Sequence, residues 1–104
     1  MAEFLDISTT VDDRSVAERI ARAAVEQRVA ACARIHAVES VYRWKGDVET
    51  AAEFVVELKT TAARREAAEA LIRELHTYEL PEILVRPILG GSSTYLDWVA
   101  DEVS

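Results

Sequence analysis

The apolar positions along the chain change period several times, between the alternation of a strand and the three-to-four-residue spacing of a helix. Phe4 begins the first strand, which is expected to end at residues 8–10. Asp12 and Asp13 follow, and aspartates are favoured at helix N-termini because their side chains accept hydrogen bonds from free backbone N–H groups. The pattern after them predicts a helix over residues 15–28.

The middle of the chain predicts a long β-hairpin. Residues 33–44 and 48–59 are rich in Val, Ile, Tyr, Trp and Phe, and the segment 45–47 between them contains a glycine, as hairpin turns often do. A strand of about twelve residues is ~40 Å long, whereas a domain of this size has a radius of gyration of about 13 Å. We therefore expect the tip of the hairpin to protrude from the body of the domain.

The last part of the chain predicts a helix, a short strand and a shorter closing helix. One of the two threonines at residues 60–61 is placed to cap a helix that runs to about His76. A strand over residues 82–88 contains a proline, which indicates the edge or the end of a sheet. After a glycine pair, one of the serines at residues 92–93 is placed to cap the closing helix.

The predicted order is β-α-β-β-α-β with a short helix at the end, which is the split β-α-β pattern of the ferredoxin-like α+β fold. Right-handed crossovers place both long helices on one face of the antiparallel sheet, so the other face is predicted to be uncovered. This face, and a hairpin tip that carries Val41, Tyr42 and Trp44, both need a covering partner. A closed homo-oligomer supplies one with a single kind of chain, and we expect such an assembly.

Composition narrows the function without identifying it. The chain has 104 residues, which suits one domain spanning residues 1–104. Its formal charge of −7 argues against nucleic acid and against an anionic membrane surface as partners, because both attract basic proteins. No run of the sequence approaches the ~20 apolar residues that a membrane span requires.

Two features of the sequence favour a cytoplasmic location. Glu3 lies where the cationic start of a secretory signal is expected, and Asp6 interrupts the apolar stretch that would follow. Cys32 is the one cysteine in the sequence and has no partner for an internal disulfide. We therefore expect a protein of the reducing cytoplasm.

Few residues carry reactive or metal-binding side chains. Cys32 lies in an apolar run at the start of a strand, either as a small buried residue or as a nucleophile that would need a histidine nearby. His76 ends the second helix and either caps its last carbonyls or binds a transition metal with Glu79, Glu82 or Cys32. His36 lies on a hairpin strand and is expected to be partly exposed.

Other polar groups suggest binding more than catalysis. Glu49, Glu53 and Glu57 share one face of a strand, either as a row that attracts cations or as a solvated face. The glycine-serine segment 90–94 would hold an anion at a helix N-terminus or serve as a plain turn and cap. The sequence contains no Ser-His-Asp order, zinc-ligand spacing or dinucleotide-binding motif. It therefore predicts a protein that is not an enzyme.

Five segments, taken together and in order, resemble the CutA family of divalent-cation tolerance proteins (CutA1). The resemblance runs from about residue 4 to residue 103, essentially the whole chain. The segments are AAC at residues 30–32, ESVYRWKG at 39–46, LKTT at 58–61, HTYELPEI at 76–83 and YLDW at 95–98.

The resemblance implies a ferredoxin-like subunit in a compact homotrimer, similar to the PII signalling proteins. In such trimers the sheets face inward and the long hairpin embraces a neighbouring subunit, which would cover both surfaces described above. The family name implies a divalent cation as the ligand, with copper as the leading candidate. In one bacterial branch the proposed copper ligands fall at positions occupied here by Ser8, Leu75 and His76, so the resemblance implies His76 as the metal-binding residue.

The resemblance also implies a cleft between subunits, in which Lys59 supplies positive charge, Tyr78 forms a wall and two glutamates accept hydrogen bonds or hold a cation. Two functions are compatible with it. One is a trimeric copper-binding tolerance protein, and the other is a PII-like signalling or scaffold protein whose clefts bind a small anion or a partner. Trp44 is expected to anchor the interface. The expected cleft residues are Cys32, Lys59, His76, Tyr78, Glu79 and Glu82.

Overall fold

The computed structural model describes residues 3–104, which form four strands, three α-helices and a short 3₁₀ turn. Residues 1 and 2, which belong to the segment considered above for a secretory signal, lie outside the described part. The elements in chain order are β1 (Phe4–Val11), α1 (Arg14–Glu26), β2 (Cys32–Trp44), β3 (Asp47–Thr61), the 3₁₀ turn (Ala62–Arg64), α2 (Arg65–Leu75), β4 (Leu84–Ile88) and α3 (Ser93–Glu102).

The strands form one antiparallel sheet in the order β2-β3-β1-β4. β1 is central, because it pairs with β3 over its whole length and with β4 from Phe4 to Ser8. α1 connects the inner strand β1 to the edge strand β2, and α2 connects the inner strand β3 to β4 at the opposite edge. The structure therefore confirms the predicted β-α-β-β-α-β, ferredoxin-like α+β fold.

The hydrophobic core lies between the two long helices and one face of the sheet. Successive strand residues point to opposite faces, so Ile7 points into the core while its neighbours Asp6 and Ser8 point to the opposite face. Side chains removed from water in this layer provide the main stabilisation of the domain. Its largest fully buried members are Ile7, Val11, Ile20, Val56, Leu58 and Ile72.

The opposite face of the sheet, called here the open face, is not uncovered throughout. Val99 of α3 and Val103, which follows the helix, pack with Ala31, and Phe4 packs against this small cluster. Arg28 also holds the end of this helix, since its Nη1 donates to the carbonyl oxygen of Glu102 at 2.8 Å. The prediction of an uncovered face is therefore wrong at this end of the sheet, where α3 covers it.

The predicted long hairpin is confirmed, because every residue of β2 pairs with β3. Its turn contains only Lys45 and Gly46, one residue fewer than predicted, since Asp47 pairs with Trp44. Both turn residues have positive φ, 50° and 91°, as a type I′ turn requires. The domain is elongated, with extents of 45 × 25 × 21 Å, and Val41 near the tip is 67% exposed.

Thr61 takes the predicted N-cap position, at the start of the 3₁₀ turn that leads into α2, but its side chain makes no capping hydrogen bond. β3 continues through both threonines because they pair with the start of β1. The Oγ1 of Thr60 donates instead to the carbonyl oxygen of Val29, at 2.6 Å, and the 3₁₀ turn separates this strand from α2. Pairing with a distant strand has overridden the local tendency of threonine to begin a helix.

The caps of the other two helices are confirmed. The carboxylate of Asp13 accepts hydrogen bonds from the backbone N–H and the hydroxyl of Ser15, both at 2.7 Å. The hydroxyl and backbone bonds from Ser15 hold the pKa of Asp13 below its usual value. At α3, the hydroxyl of Ser92 accepts the backbone N–H of Tyr95 at 3.4 Å. Among residues 3–104, no helix is long and apolar enough to cross a membrane.

Candidate functional site

The segment between α2 and β4, called here the 76–83 loop, is the centre of the candidate site. α2 makes its last backbone bond from the N–H of His76 to the carbonyl oxygen of Ile72, at 2.9 Å. Pro81 has no N–H to donate, so the chain cannot continue as a regular helix through it. Side chains at the start, middle and end of this loop attach it to β1 and β3.

His76 uses both of its ring nitrogens within the chain. Its Nε2 lies 3.0 Å from the carbonyl oxygen of Thr10 in β1, and its Nδ1 accepts the backbone N–H of Tyr78 at 3.1 Å. A carbonyl oxygen can only accept and a backbone N–H can only donate, so this geometry assigns a neutral ring with its proton on Nε2. His76 does end α2 as predicted, but its ring reaches across to β1.

Tyr78 joins the loop to the middle of the hairpin. Its hydroxyl donates to the Oε2 of Glu53 in a short hydrogen bond, and its ring packs edge-on against the ring of His76, with centroids 4.9 Å apart. Burial, followed by the bond to the Glu53 carboxylate and its charge, raises the pKa of Tyr78 above its ordinary value. The phenol therefore remains a hydrogen-bond donor at neutral pH.

The two glutamates of the loop differ in how firmly they are held. Glu82 is fixed to β1, since its Oε2 accepts the hydroxyl of Thr10 at 2.9 Å and its carbonyl oxygen accepts the hydroxyl of Thr9 at 2.6 Å. Glu79 is exposed and lies 3.8 Å from the Nζ of Lys45 at the hairpin turn. Glu79 is therefore free to turn towards a ligand, whereas Glu82 is part of the framework.

A groove of about 660 Å³ lies between the 76–83 loop and the hairpin. Tyr78, Glu79 and Glu82 line it on the loop side. Its volume is in the range of small-molecule sites, and its lining joins carboxylates with aromatic rings. The hairpin and β1 contribute Thr10, Val41, Tyr42, Trp44 and Glu53 among others.

Cys32 and Lys59 lie elsewhere on the open face. They are paired residues of β2 and β3, near the end that α3 covers. The Nζ of Lys59 donates to the Oδ2 of Asp6 at 2.9 Å, while the other oxygen of Asp6 is buried and has no hydrogen-bond partner among residues 3–104. Cys32 is partly buried within the single chain.

The structure thus divides the six predicted cleft residues into two groups. Tyr78, Glu79 and Glu82 line the groove, with His76 supporting them from behind. Cys32 and Lys59 are remote, because Lys59 is six positions along β3 from Glu53, a separation of about 20 Å at ~3.3 Å per residue. Within a single chain the two groups do not form one site.

Glu53 and Thr10 belong to the groove but were not predicted as site residues. Glu53 was recognised only as a member of a strand-face row with Glu49 and Glu57, and it is just 6% exposed. A buried carboxylate needs a donor, yet that donor, Tyr78, is far away in sequence. His36 is half-exposed as predicted, and its Nδ1 lies 3.8 Å from a carboxylate oxygen of Glu57.

A copper centre at His76 does not fit the residues of a single chain. Neither ring nitrogen offers a free lone pair, because Nδ1 accepts the Tyr78 N–H and Nε2 carries the proton. Cys32, the soft ligand that copper would favour, belongs to the remote group with Lys59 and does not line the groove. Residues 3–104 also contain no group of three His, Cys, Asp or Glu side chains placed to hold a metal ion.

A ferredoxin-like sheet with a long hairpin, a largely open face and a carboxylate-lined groove defines a small α+β binding domain. The profile of the family described as CutA1 divalent ion tolerance protein matches residues 6–102. The chain therefore belongs to the CutA1 divalent-cation tolerance family, as its motifs indicated.

Individual relatives agree with this assignment. The divalent-cation tolerance protein CutA of Thermus thermophilus is 40% identical, over 88% of this chain and 90% of its own. Mouse protein CutA is 38% identical over 86% of this chain but 51% of its own, so the chain spans about half the length of this relative. The structure of CutA from Synechococcus elongatus superposes with a TM-score of 0.94 at 35% identity, covering 100% of this chain and 93% of that one.

Proposed function

We propose that the chain acts in divalent-cation tolerance as a homotrimeric binding protein, and that its binding cleft forms between two subunits. The observation that carries this proposal is the division of the candidate residues into two groups about 20 Å apart on the same face of the sheet. Groups that cannot meet within one chain meet if the groove of one subunit faces the Cys32–Lys59 pair of the next.

Exposed apolar surface supports the trimer. Val41 and Val48 near the hairpin turn are 67% and 65% exposed, and Trp44 is 37% exposed. Apolar groups concentrated in one place tend to mark an interface, and a closed ring of identical chains covers every copy of that surface. The oxygen of Asp6 that has no hydrogen-bond partner within residues 3–104 lies on the open face that a neighbouring subunit would cover.

In this arrangement the cation is a ligand, and copper is the leading candidate. Glu79 of one subunit and Cys32 of the next supply ligand atoms, while Glu82 shapes the wall. His76 takes no part in coordination, because both of its nitrogens are committed to holding the loop. The charge of −7 attracts cations to the whole trimer.

A second function is favoured by the aromatic lining of the groove. Tyr42, Trp44 and Tyr78 give it the apolar walls and polar groups that are typical of sites for small organic molecules. The protein would then be a PII-like signalling or scaffold protein that binds a small ligand or a partner in the same clefts, without being an enzyme. For either function we place it in the cytoplasm, where the thiol of Cys32 stays reduced.

The test combines mass and binding. Light scattering at micromolar concentration should give the mass of three chains, and calorimetry of metal-free protein with Cu(II) should show one ion per cleft. Glu79→Gln and Cys32→Ser should each abolish this stoichiometric binding. Because Glu79 is exposed, the first variant should fold as the wild type does.

Mixing the two variants distinguishes a shared cleft from a site within one chain. When Glu79→Gln and Cys32→Ser chains are co-expressed, a mixed trimer has one cleft in which both intact residues meet, and Cu(II) binding should partly return. No recovery would contradict the shared cleft, and a single-chain mass would contradict the trimer. A trimer with only weak Cu(II) binding, equal in all variants, would favour the second function, for which phosphate is the first anion to titrate.

A further inference from the structure

The groove between the 76–83 loop and the hairpin combines aromatic rings with carboxylates. Among the described residues that line it, none is a lysine, an arginine or a histidine. The lining therefore attracts positive charge and repels negative charge. The three rings belong to Tyr42, Trp44 and Tyr78. The three carboxylates belong to Glu53, Glu79 and Glu82.

The protein itself places an ammonium group at the rim of this groove. The Nζ of Lys45, at the hairpin turn, lies 5.5 Å from the centroid of the Trp44 ring and 3.8 Å from the Oε2 of Glu79. A cation within about 6 Å of an aromatic face is attracted by the negative charge of that face. Trp44 and Glu79 both line the groove, so this pair is arranged to hold an organic cation. The Lys45 side chain is exposed, and a ligand can therefore displace it.

The other two carboxylates keep the capacity to accept hydrogen bonds from a ligand. The hydroxyl of Tyr78 uses one of the two carboxylate oxygens of Glu53, and the hydroxyl of Thr10 uses one of those of Glu82. A carboxylate can accept about four hydrogen bonds, so the second oxygen of each side chain remains for the N–H groups of a ligand. Glu53 is buried, and a buried charge is costly without a partner. A cation near it is therefore stabilised more strongly than it would be in water.

Within one chain, a bare metal ion does not match this lining. A divalent ion needs several ligand atoms about 2–2.6 Å from one point. In the described part of the chain, no three His, Cys, Asp or Glu side chains are placed in that way. The groove has a volume of about 660 Å³, which suits a ligand that has an apolar body as well as a charge.

We infer that the groove binds a small organic ammonium ion, whose alkyl body packs against the aromatic rings and whose charged head lies between the Trp44 ring and the Glu79 carboxylate. The inference deepens the second proposed function and rests on it, since it names the chemical class of the ligand of the same groove. It requires neither Cu(II) nor Cys32. Lys45 is then an internal competitor, whose ammonium group must move away before the ligand enters.

Butylammonium and butyrate test the sign of the ligand's charge, because their apolar bodies are similar and their charges are opposite. Calorimetric titration of the wild-type protein at constant ionic strength should show saturable binding of butylammonium and no binding of butyrate. Trp44→Leu should weaken butylammonium binding by about fivefold, as expected for the loss of one cation–π contact. Light scattering checks that this variant keeps the wild-type mass, and Tyr42→Leu replaces it if it does not. Glu79→Gln should also weaken the binding.

Two variants make the test specific. Glu39→Gln is the matched control for charge, because Glu39 is exposed on β2 and, three positions from Tyr42, points to the opposite face of the sheet. It should bind butylammonium as the wild type does. Lys45→Met removes the internal ammonium group, so it should tighten butylammonium binding by about threefold. An anionic ligand would instead bind this variant more weakly.

Binding of butyrate in place of butylammonium would overturn the inference. Weak binding of both, left unchanged by Glu79→Gln and Lys45→Met, would overturn it as well. The proposed function fails separately, because a single-chain mass contradicts the trimer and an absence of Cu(II) binding contradicts the cation cleft. Neither of those results changes the expected binding of butylammonium to the groove.

Discussion

Removing the hydroxyl of Tyr78 tests how much the loop attachment contributes to stability. Tyr78→Phe keeps the ring against His76 but leaves the carboxylate of Glu53, 6% exposed, without its donor. A hydrogen bond to a charged group contributes about 1.5–3 kcal/mol. Tyr78 is only partly buried, so water can reach part of the gap, and we expect a loss near 1.5 kcal/mol at neutral pH.

The hydrogen bond between Tyr78 and Glu53 should also make the stability of the protein depend on pH in the alkaline range. The pKa of Tyr78 is raised in the folded protein by burial and by Glu53, while the unfolded phenol titrates near pH 10. The stabilisation is fully present below about pH 10, and above it the unfolded state loses a proton that the folded state retains. Stability therefore falls with rising pH more steeply in the wild type than in Tyr78→Phe, by up to about 1.4 kcal/mol per pH unit.

Urea unfolding followed by tryptophan fluorescence measures both effects, at one fixed protein concentration because an oligomer's stability depends on it. Tyr95→Phe is the control, since the Tyr95 ring is 41% exposed on α3 and lies away from the loop. Glu53→Gln should cost less than Tyr78→Phe, because the amide oxygen still accepts the hydroxyl. A Tyr78→Phe protein within ~0.5 kcal/mol of the wild type, with the same alkaline slope, would refute the reasoning.

Two further substitutions test the backbone and the core. Gly46→Ala should destabilise the protein by about 1 kcal/mol, because φ is 91° at this turn. No atom lies within 4 Å of the added methyl, so the loss comes from the backbone conformation alone. A melting temperature unchanged from the wild type would contradict this. Thr60→Val keeps the shape of a fully buried side chain but leaves the carbonyl oxygen of Val29 unsatisfied, at a cost of about 1–3 kcal/mol. Thermal unfolding should show that loss, whereas Thr61→Val, where no such bond to Val29 exists, should differ little from the wild type.

The architecture was predictable because strand and helix periods, turn glycines and caps are local signals. The long hairpin follows from alternating apolar residues around Gly46, and the start of α1 follows from Asp13. The strand pairing of residues 60–61 was not predicted, because it depends on β1, which is remote in sequence. The position of α3 depends likewise on contacts with Ala31 and Phe4, which no periodicity within the helix reveals.

The candidate site was predictable only in part. The segment from His76 to Glu82 was identified from its motif, and Tyr78, Glu79 and Glu82 do line a groove. The role of His76 was not predicted, because a histidine at a helix end looks the same in sequence whether its ring faces solvent, a metal or a distant strand. Its partner Thr10 lies 66 positions away, and only the folded chain brings the two together.

The central position of β1 has a consequence for how the chain folds. β1 precedes the other three strands of the sheet in the chain, yet its neighbours in the sheet are β3 and β4. The hairpin of β2 and β3 closes over a two-residue turn and can form within microseconds, whereas pairing Phe4 with Thr61 closes a much larger loop and is slower. We therefore expect the hairpin to form first and β1 to dock on it. Until then Leu5, Ile7 and Val11 of β1, which the folded protein buries, should stay exposed on the nascent chain, where chaperones and other unfolded copies can bind them.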